Sequence, residues 1–164
     1  MNGHRQQLYR DGYSKATAQY TSKFVMPNLT QAEGHLIGNH IYSHMQLTKK
    51  NREKFKEELV KTNEVLLEIT GVEVEYARLP YGSWDKSFEA ELNMILVLWT
   101  IDTLDLCSSN VGCITDRVVK KAGEYEIILM HDYYDTSVTA ALQVVDELLE
   151  EGYVFVTVEE ILFE

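Results

Sequence analysis

Met94-Ile95-Leu96-Val97-Leu98-Trp99 is an uninterrupted apolar run, and it decides the fold class. A run of this length predicts a strand that is buried on both faces, which is typical of parallel sheets. Parallel neighbours in a sheet need a crossover connection, and that connection is usually a helix. The run therefore predicts an α/β architecture.

Segments on both sides of this run alternate between helical and strand-like patterns. Upstream, apolar side chains recur on one helical face from residue 51 onward, and Gly71 is placed as the C-terminal stop. That face consists of Phe55, Leu59, Thr62, Leu66 and Ile69. Further elements are predicted as strands at 72–78, 127–130 and 153–156 and as helices at 84–92, 114–122, 138–150 and 158–162. This alternation predicts an α/β barrel or a doubly wound sheet.

The length and charge of the chain limit its organisation and its partners. Its 164 residues fit one domain over 1–164, in which residues 1–30 are the least regular part. A formal net charge of −11 would repel a phosphate backbone, so the sequence predicts no nucleic-acid partner. No apolar run approaches the ~20 residues of a transmembrane segment, and the first residues lack an apolar signal-peptide core. The localisation stays unknown.

Two cysteines, Cys107 and Cys113, stand six residues apart in a polar stretch. They either close a short loop by a disulfide or remain two reduced thiols. The spacing alone does not decide between these states.

The segment His40-Ile41-Tyr42-Ser43-His44 spaces two imidazoles four residues apart. On a helical turn, this spacing would put both rings on one side, within reach of one divalent ion. A hydrolytic zinc site needs three protein ligands, so the pair predicts a third ligand, usually a carboxylate, elsewhere in the chain. Two polar surface histidines are the alternative interpretation.

Three further segments carry candidate residues at strand ends, where α/β folds place their catalytic and ligand-binding side chains. His131 follows a predicted strand and is a candidate acid or base, or a partly buried histidine bonded to a carbonyl. The stretch Arg78-Leu79-Pro80-Tyr81-Gly82 predicts a rigid turn whose backbone amides suit an oxyanion, or simply a reversal of the chain. Either Asp102 or Asp105 could orient an imidazole or cap the next element.

Taken in order, these segments resemble the polysaccharide deacetylases, NodB-like carbohydrate esterases that remove N- or O-acetyl groups from chitin-like and peptidoglycan sugars. The family's second and third motifs resemble residues 34–44 and 78–82, and its fourth and fifth resemble residues 102–106 and 128–131. The resemblance runs from about residue 15 to the end. It implies a NodB-like irregular (β/α) barrel, a divalent metal with zinc as the expected ion, and an N-acetylated polysaccharide as substrate.

The resemblance also implies a role for each matching residue. His40 and His44 would bind the metal while Ser43 braces their loop, and the acid would be His131. Arg78 would steady the base, and the Tyr81 amide would face the oxyanion. Asp105 would favour the protonated form of His131. The acetyl pocket would be lined by Leu129, Leu106 and Pro80. Leu106 replaces an aromatic residue of the family pattern.

The family's first motif, Thr-Phe-Asp-Asp-Gly, is not found in the sequence, although it holds the catalytic base and the third metal ligand. In the preferred register, Lys15-Ala16-Thr17 matches the second strand of the family, and the first motif would precede Met1. In the other register, Leu8-Tyr9-Arg10-Asp11-Gly12 is a decayed first motif, with Asp11 as a metal ligand and Arg10 replacing the base. A general base is typically worth ~10²–10⁴ in rate, so we expect weak metal binding and little or no activity.

Three functional hypotheses follow from this departure. The chain is a sugar deacetylase whose front segment comes from elsewhere, an inactive remnant that binds carbohydrate or another protein, or an α/β fragment without present function. Loss of the first strand would also open or rearrange the barrel and expose strand edges. We therefore expect a homodimer or a rearranged N-terminus.

Overall fold

The computed structural model of the protein describes residues 10–11 and 32–163. The chain forms two compact units. The central unit comprises Gly12–Leu98, and the C-terminal unit comprises Met1–Asp11 together with Trp99–Glu164. The expectation of one domain over 1–164 stays a prediction.

The central unit contains one long helix and a small parallel sheet. Helix α1 spans Arg52–Thr70, and helix α2 is one turn at Lys86–Glu89. Strand β2 (Tyr76–Ala77) pairs in parallel with strand β3 (Ile95–Leu96). Asn39 extends this pairing through an isolated parallel bridge to Ala77.

Helix α1 confirms the helical pattern in the sequence. All five residues of the predicted face are buried. At the end of the helix, Gly71 adopts φ 72° and its N–H donates to the Leu67 carbonyl at 2.8 Å. A left-handed residue at this position is best supplied by glycine, which has no Cβ to clash. The helix packs into the core of the central unit, which consists of Ile41, Phe55, Leu59, Ala77, Leu79 and Phe88.

The strands of the C-terminal unit are β1 (Arg10–Asp11), β4 (Ile101–Asp102) and β5 (Ile128–His131). They form a three-stranded parallel sheet in the order β1-β5-β4. Its helices are α3 (Val111–Val119), α4 (Asp135–Glu150) and α5 (Val158–Phe163). The main core cluster consists of Ile101, Val118, Val144 and Leu148.

Several predicted elements differ from the observed ones. The 72–78 and 94–99 strands shrink to two residues each, and the 84–92 helix shrinks to Lys86–Glu89. The prediction that the apolar run is buried on both faces is wrong in part, because Leu98 is 39% exposed. The predicted strand at 153–156 is wrong, because this segment pairs with no described strand.

Two further features bear on the sequence-based expectations. Cys107 and Cys113 are both exposed free thiols. Among the described helices, none combines the length and the apolar character that a membrane crossing requires.

Candidate active site

His40 is held beside strand β2 by a short main-chain ladder. The Asn39 N–H donates to the Tyr76 carbonyl at 2.8 Å, and the Arg78 N–H donates to the Asn39 carbonyl at 2.9 Å. The buried His40 ring lies with Nδ1 2.6 Å from the Arg78 carbonyl oxygen. A carbonyl can only accept, so Nδ1 carries the proton and Nε2 is the nitrogen suited to ligate a metal.

The His40–His44 segment is a turn and not a helix, so the helical expectation was wrong. Ile41 and His44 both have left-handed φ values, 63° and 56°, and the His44 N–H approaches the Ile41 carbonyl at 3.4 Å. The two rings nevertheless meet, with centroids 4.9 Å apart at an interplanar angle of 73°. The predicted convergence of the imidazoles is present through a different backbone path.

The Pro80–Gly82 turn brings Tyr81 next to this pair. Tyr81 has φ 62°, and its ring centroid lies 5.0 Å from that of His44. Hydrogen bonds from Gly82 N–H to Leu79 O and from Ser83 N–H to Pro80 O, both 3.2 Å, close the turn. The Tyr81 N–H donates to no residue of the described chain. Positive φ in a bulky residue is costly and often marks a functional site.

Arg78 is fully buried directly before this turn. Its Nε donates to the Val97 carbonyl at 3.4 Å. The guanidinium is thus part of the packed interior of the central unit.

The family implies a divalent metal, and the described residues fit one in part. His40 and His44 bring two imidazoles together, and in the tautomer that donates from Nδ1 the Nε2 of His40 carries no proton. A hydrolytic zinc site has three protein ligands, and residues 10–11 and 32–163 contain no group of three suitable side chains. The pair could supply two of these three ligands, and its role at a metal stays a prediction.

In the C-terminal unit, Asp105 and His131 form a bidentate pair. The His131 N–H donates to Oδ2 of Asp105 at 2.8 Å, and its Nδ1 lies 2.9 Å from Oδ1. Thr103 positions the carboxylate, because its hydroxyl donates to the Leu129 carbonyl at 2.8 Å and accepts from the Asp105 N–H at 3.3 Å. Asp102 instead accepts from the Leu104 N–H at 2.9 Å and caps the turn.

Asp105 is an ionised carboxylate in a site that is 2% exposed. Burial raises its pKa, but hydrogen bonds from the side chain and main chain of His131 lower the pKa by more, so the net direction is downward. The buried Ser137 side chain adds to this lowering. An ionised Asp105 fixes the orientation of the imidazole of His131.

The proposed acetyl-pocket residues differ in exposure. Pro80 is buried, and Leu129 is 5% exposed within strand β5. Leu106 lies 49% exposed in a short 3₁₀ turn at Asp105–Cys107. Their roles at an acetyl group stay predictions.

The two sequence registers can be compared with strand β1. Arg10 pairs with Met130 and Asp11 pairs with His131, which is the kind of first strand that the second register assigns to these residues. Residues 15–17, on which the first register depends, lie outside the described residues. The pairing shows a strand at residues 10–11, and the choice between the two registers stays a prediction.

Sequence reasoning missed two residues that hold the His40–His44 turn, Asn39 and Glu58. The Asn39 side chain accepts from the Ile41 N–H at 2.8 Å, and Glu58 accepts from the Ser43 N–H at 2.7 Å. The brace expected from Ser43 therefore runs through its main chain. The fully buried Asn39 next to His40 could be found only from the fold, because its side-chain partners are 20 and 24 residues away in the sequence.

The chain is similar in sequence to known proteins over much of its length. A family model described as polysaccharide deacetylase matches residues 14–95, which is half of the chain. The chain belongs to the polysaccharide deacetylase family. Members of this family generally depend on a divalent metal.

Among curated relatives of this deacetylase-family chain, the peptidoglycan-N-acetylglucosamine deacetylase PgdA of Listeria monocytogenes is 33% identical over 79% of this chain. The peptidoglycan-N-acetylmuramic acid deacetylase PdaC of Bacillus subtilis is also 33% identical over 79%. The chain spans 28% of the length of each of these relatives.

Solved structures confirm the α/β NodB-like fold of the family. The peptidoglycan deacetylase PdaC of Bacillus subtilis has a TM-score of 0.82 at 30% identity, over 90% of this chain and 72% of that chain. A pseudoenzyme of carbohydrate esterase family 4 from Bacillus anthracis has a TM-score of 0.77 at 24% identity, over 86% of this chain and 51% of that chain. The latter likeness concerns the fold alone.

Proposed function

We propose that this chain carries a metal-dependent deacetylase site that removes N-acetyl groups from N-acetylglucosamine-type polysaccharide, as in peptidoglycan or chitin. The observation that carries the proposal is the grouping of His40, His44 and the strained Tyr81 in one turn region. His40 and His44 would hold the ion, with zinc as the expected metal. When bound, the ion supplies Lewis-acid activation of the acetyl carbonyl and of the attacking water.

The Tyr81 main chain supports a role at the oxyanion. Attack of water on the acetyl carbon turns the carbonyl oxygen negative, and a pre-oriented N–H donor stabilises that charge. The Tyr81 N–H takes no part in the two hydrogen bonds that close the turn, which come from Gly82 and Ser83. We therefore assign this N–H as the oxyanion donor.

The Asp105–His131 pair supports the role of acid. Asp105 accepts from Nδ1 of His131, so Nε2 is the ring nitrogen that delivers a proton to the leaving amine. Attack of water first forms the new C–O bond and the oxyanion, and the acetamide C–N bond breaks when this tetrahedral species collapses, so the products are acetate and a free amino sugar. His131 is 25% exposed at its side chain, which leaves it accessible to substrate.

Two tyrosines that lie two and three residues after His131 support a carbohydrate substrate. Tyr133 and Tyr134 are 80% and 53% exposed, and their ring centroids lie 5.7 Å apart, edge to face. Exposed aromatic rings with a polar tip present an apolar face on which the C–H face of a pyranose can stack. We propose that this tyrosine pair holds a sugar ring beside the acid.

We expect slow turnover from the 164-residue chain. In the register that takes residues 8–12 as a decayed first motif, Arg10 stands in place of the family's base, and in the other register the base is absent from the sequence. Loss of a general base lowers the rate by about 10²–10⁴. The residual rate depends on the oxyanion donor and the acid.

Acetate release tests the proposal. Purified protein with added Zn²⁺ is incubated with an N-acetylglucosamine pentamer and with peptidoglycan, and acetate is measured over hours. We expect slow release that stops in the His40→Ala, His44→Ala double variant. Pentamer binding without any acetate release would sink the enzymatic proposal and favour a carbohydrate-binding protein instead.

A further inference from the structure

The His40–His44 turn adopts a backbone path that its own sequence does not favour. Ile41 and His44 are both left-handed, and neither is a glycine. Two such residues in one short turn persist only when surrounding contacts fix them. The contacts that fix this turn come from a buried asparagine and from helix α1.

Asn39 uses its whole side-chain amide for this purpose. Its Oδ1 accepts from the Ile41 N–H at 2.8 Å, while its Nδ2 donates to the Leu59 carbonyl at 2.9 Å and to Asn63 Oδ1 at 2.6 Å. The residue is completely buried, where each of these hydrogen bonds is costly to lose. The Ile41 side chain is buried in the core cluster that includes Leu59, so it is anchored to the same stretch of helix.

Glu58 holds the second half of the turn from the same helix. Its Oε2 accepts from the Ser43 N–H at 2.7 Å, directly before His44. Three residues further along α1, the Lys61 ammonium lies 3.5 Å from the ring centroid of Tyr42. Hydrogen bonds to an ionised carboxylate are stronger than those between neutral groups.

We infer that Asn39 and Glu58 are positioning residues that set the separation of the His40 and His44 rings. Asn39 fixes the entry of the turn at Ile41, and Glu58 fixes its exit at Ser43. One part of the inference rests on the proposed function, namely that this separation of the rings prepares them to bind one metal ion. Partners that orient metal-ligating histidines typically change metal affinity by about 10–100-fold when they are removed.

The test compares Glu58→Ala, Glu58→Gln and Glu57→Ala. Glutamine keeps an oxygen that can accept from the Ser43 N–H, whereas alanine removes it. Glu57 is an exposed neighbour on α1, so Glu57→Ala removes the same charge without touching the turn. Asn39→Ala is the companion variant, and the Glu58 set keeps the test decisive if that buried substitution prevents folding.

Three measurements are made on each variant. Hydrogen exchange of the Ser43 amide and the nuclear Overhauser effect between the two imidazoles are recorded on metal-free protein. Zn²⁺ affinity is then measured by competition with a chromophoric chelator. For Glu58→Ala we expect faster exchange, a weaker ring-to-ring effect and about tenfold weaker Zn²⁺ binding, with Glu58→Gln and Glu57→Ala close to the parent protein.

Different outcomes identify different failures. If Glu58→Ala keeps the ring contact and the Zn²⁺ affinity of Glu57→Ala, the inference is wrong. It is also wrong if Glu58→Gln loses as much as Glu58→Ala, because charge and not the hydrogen bond would then matter. If the parent protein binds no Zn²⁺, the proposed function fails, and the ring contact in metal-free protein alone decides whether Asn39 and Glu58 position the histidines.

Discussion

Asp105 is a buried carboxylate whose two oxygens both accept from His131. We predict that Asp105→Asn lowers the free energy of unfolding by about 1–3 kcal/mol at pH 7, because an amide leaves one of these buried contacts unsatisfied. Urea unfolding followed by circular dichroism measures the change. Asp146→Asn, an exposed substitution on helix α4, is the control and should stay within about 0.5 kcal/mol of the parent protein.

The pH dependence of this difference follows from the direction of the pKa shift. The pKa of Asp105 in the folded protein lies below its ordinary value of 3.8. The carboxylate therefore stabilises the fold above about pH 4, and this stabilisation is lost as the pH falls through the lowered value. The gap between Asp105→Asn and the parent protein should narrow between pH 5 and pH 2. A gap that is constant over this range would contradict an ionised Asp105.

Tyr133 is the more exposed ring of the tyrosine pair beside His131. If a pyranose stacks on it, Tyr133→Ala should raise KM for an N-acetylglucosamine pentamer about two- to tenfold while kcat changes little. This range corresponds to the ~0.5–1.5 kcal/mol of an aromatic contact. Tyr125→Ala is the matched control, because Tyr125 is 72% exposed and precedes strand β5, at whose other end His131 lies. Equal effects of the two substitutions would refute sugar stacking on Tyr133.

At the scale of elements, the end of helix α1 depends on one glycine. Gly71 has φ 72°, and a Cβ added there would contact nothing within 4 Å. We therefore predict that Gly71→Ala lowers the free energy of unfolding by about 1–2 kcal/mol through backbone strain alone.

At Gly112, the same substitution to alanine should have the opposite effect on stability. It lies inside helix α3, and an added Cβ would come no closer than 3.5 Å to the Asn110 side chain. Gly112→Ala should raise the free energy of unfolding by about 0.5–1 kcal/mol, because alanine has less freedom to lose in a helix. Both variants are compared in one urea series, and a loss of stability in both would contradict the backbone explanation.

Elements that depend on local sequence were predictable. The face of α1 and its stop at Gly71 follow from helical spacing and from the conformational freedom of glycine. The turn at His40–His44 was not predictable, because its left-handed residues are held by Asn39 and by Glu58 from another element. The family motifs thus identify the histidines, whereas their geometry depends on tertiary hydrogen bonds.

Strand prediction failed where apolar character did not lead to pairing. Tyr153 and Phe155 are half-buried against the core of the C-terminal unit, yet no described strand pairs with residues 153–156. The Tyr153 hydroxyl donates to the Ala122 carbonyl at 3.2 Å, and Phe155 packs on the core cluster. An apolar stretch can therefore be buried by side-chain packing without joining a sheet, which periodicity alone does not distinguish.

At the scale of the whole molecule, the excess of acidic residues affects which polymers the protein can approach. The chain carries a formal charge of −11, and charges of one sign repel across roughly a Debye length. The homodimer expected from exposed strand edges stays a prediction, and light scattering at several protein concentrations measures it. Acidic self-repulsion would make any such dimer more stable at higher salt.

The same charge leads to a prediction about substrates. N-acetylmuramic acid carries a lactyl carboxylate, whereas an N-acetylglucosamine oligomer is neutral. Raising the salt from 10 mM to 150 mM shortens the Debye length from about 30 Å to about 8 Å, which screens repulsion between the protein and an anionic glycan. If the proposed deacetylase acts on both, KM for the muramic acid-containing glycan should fall roughly twofold or more, while KM for the neutral oligomer stays constant. A fall of the same size for both substrates would mean that salt acts on the protein and not on its encounter with the glycan.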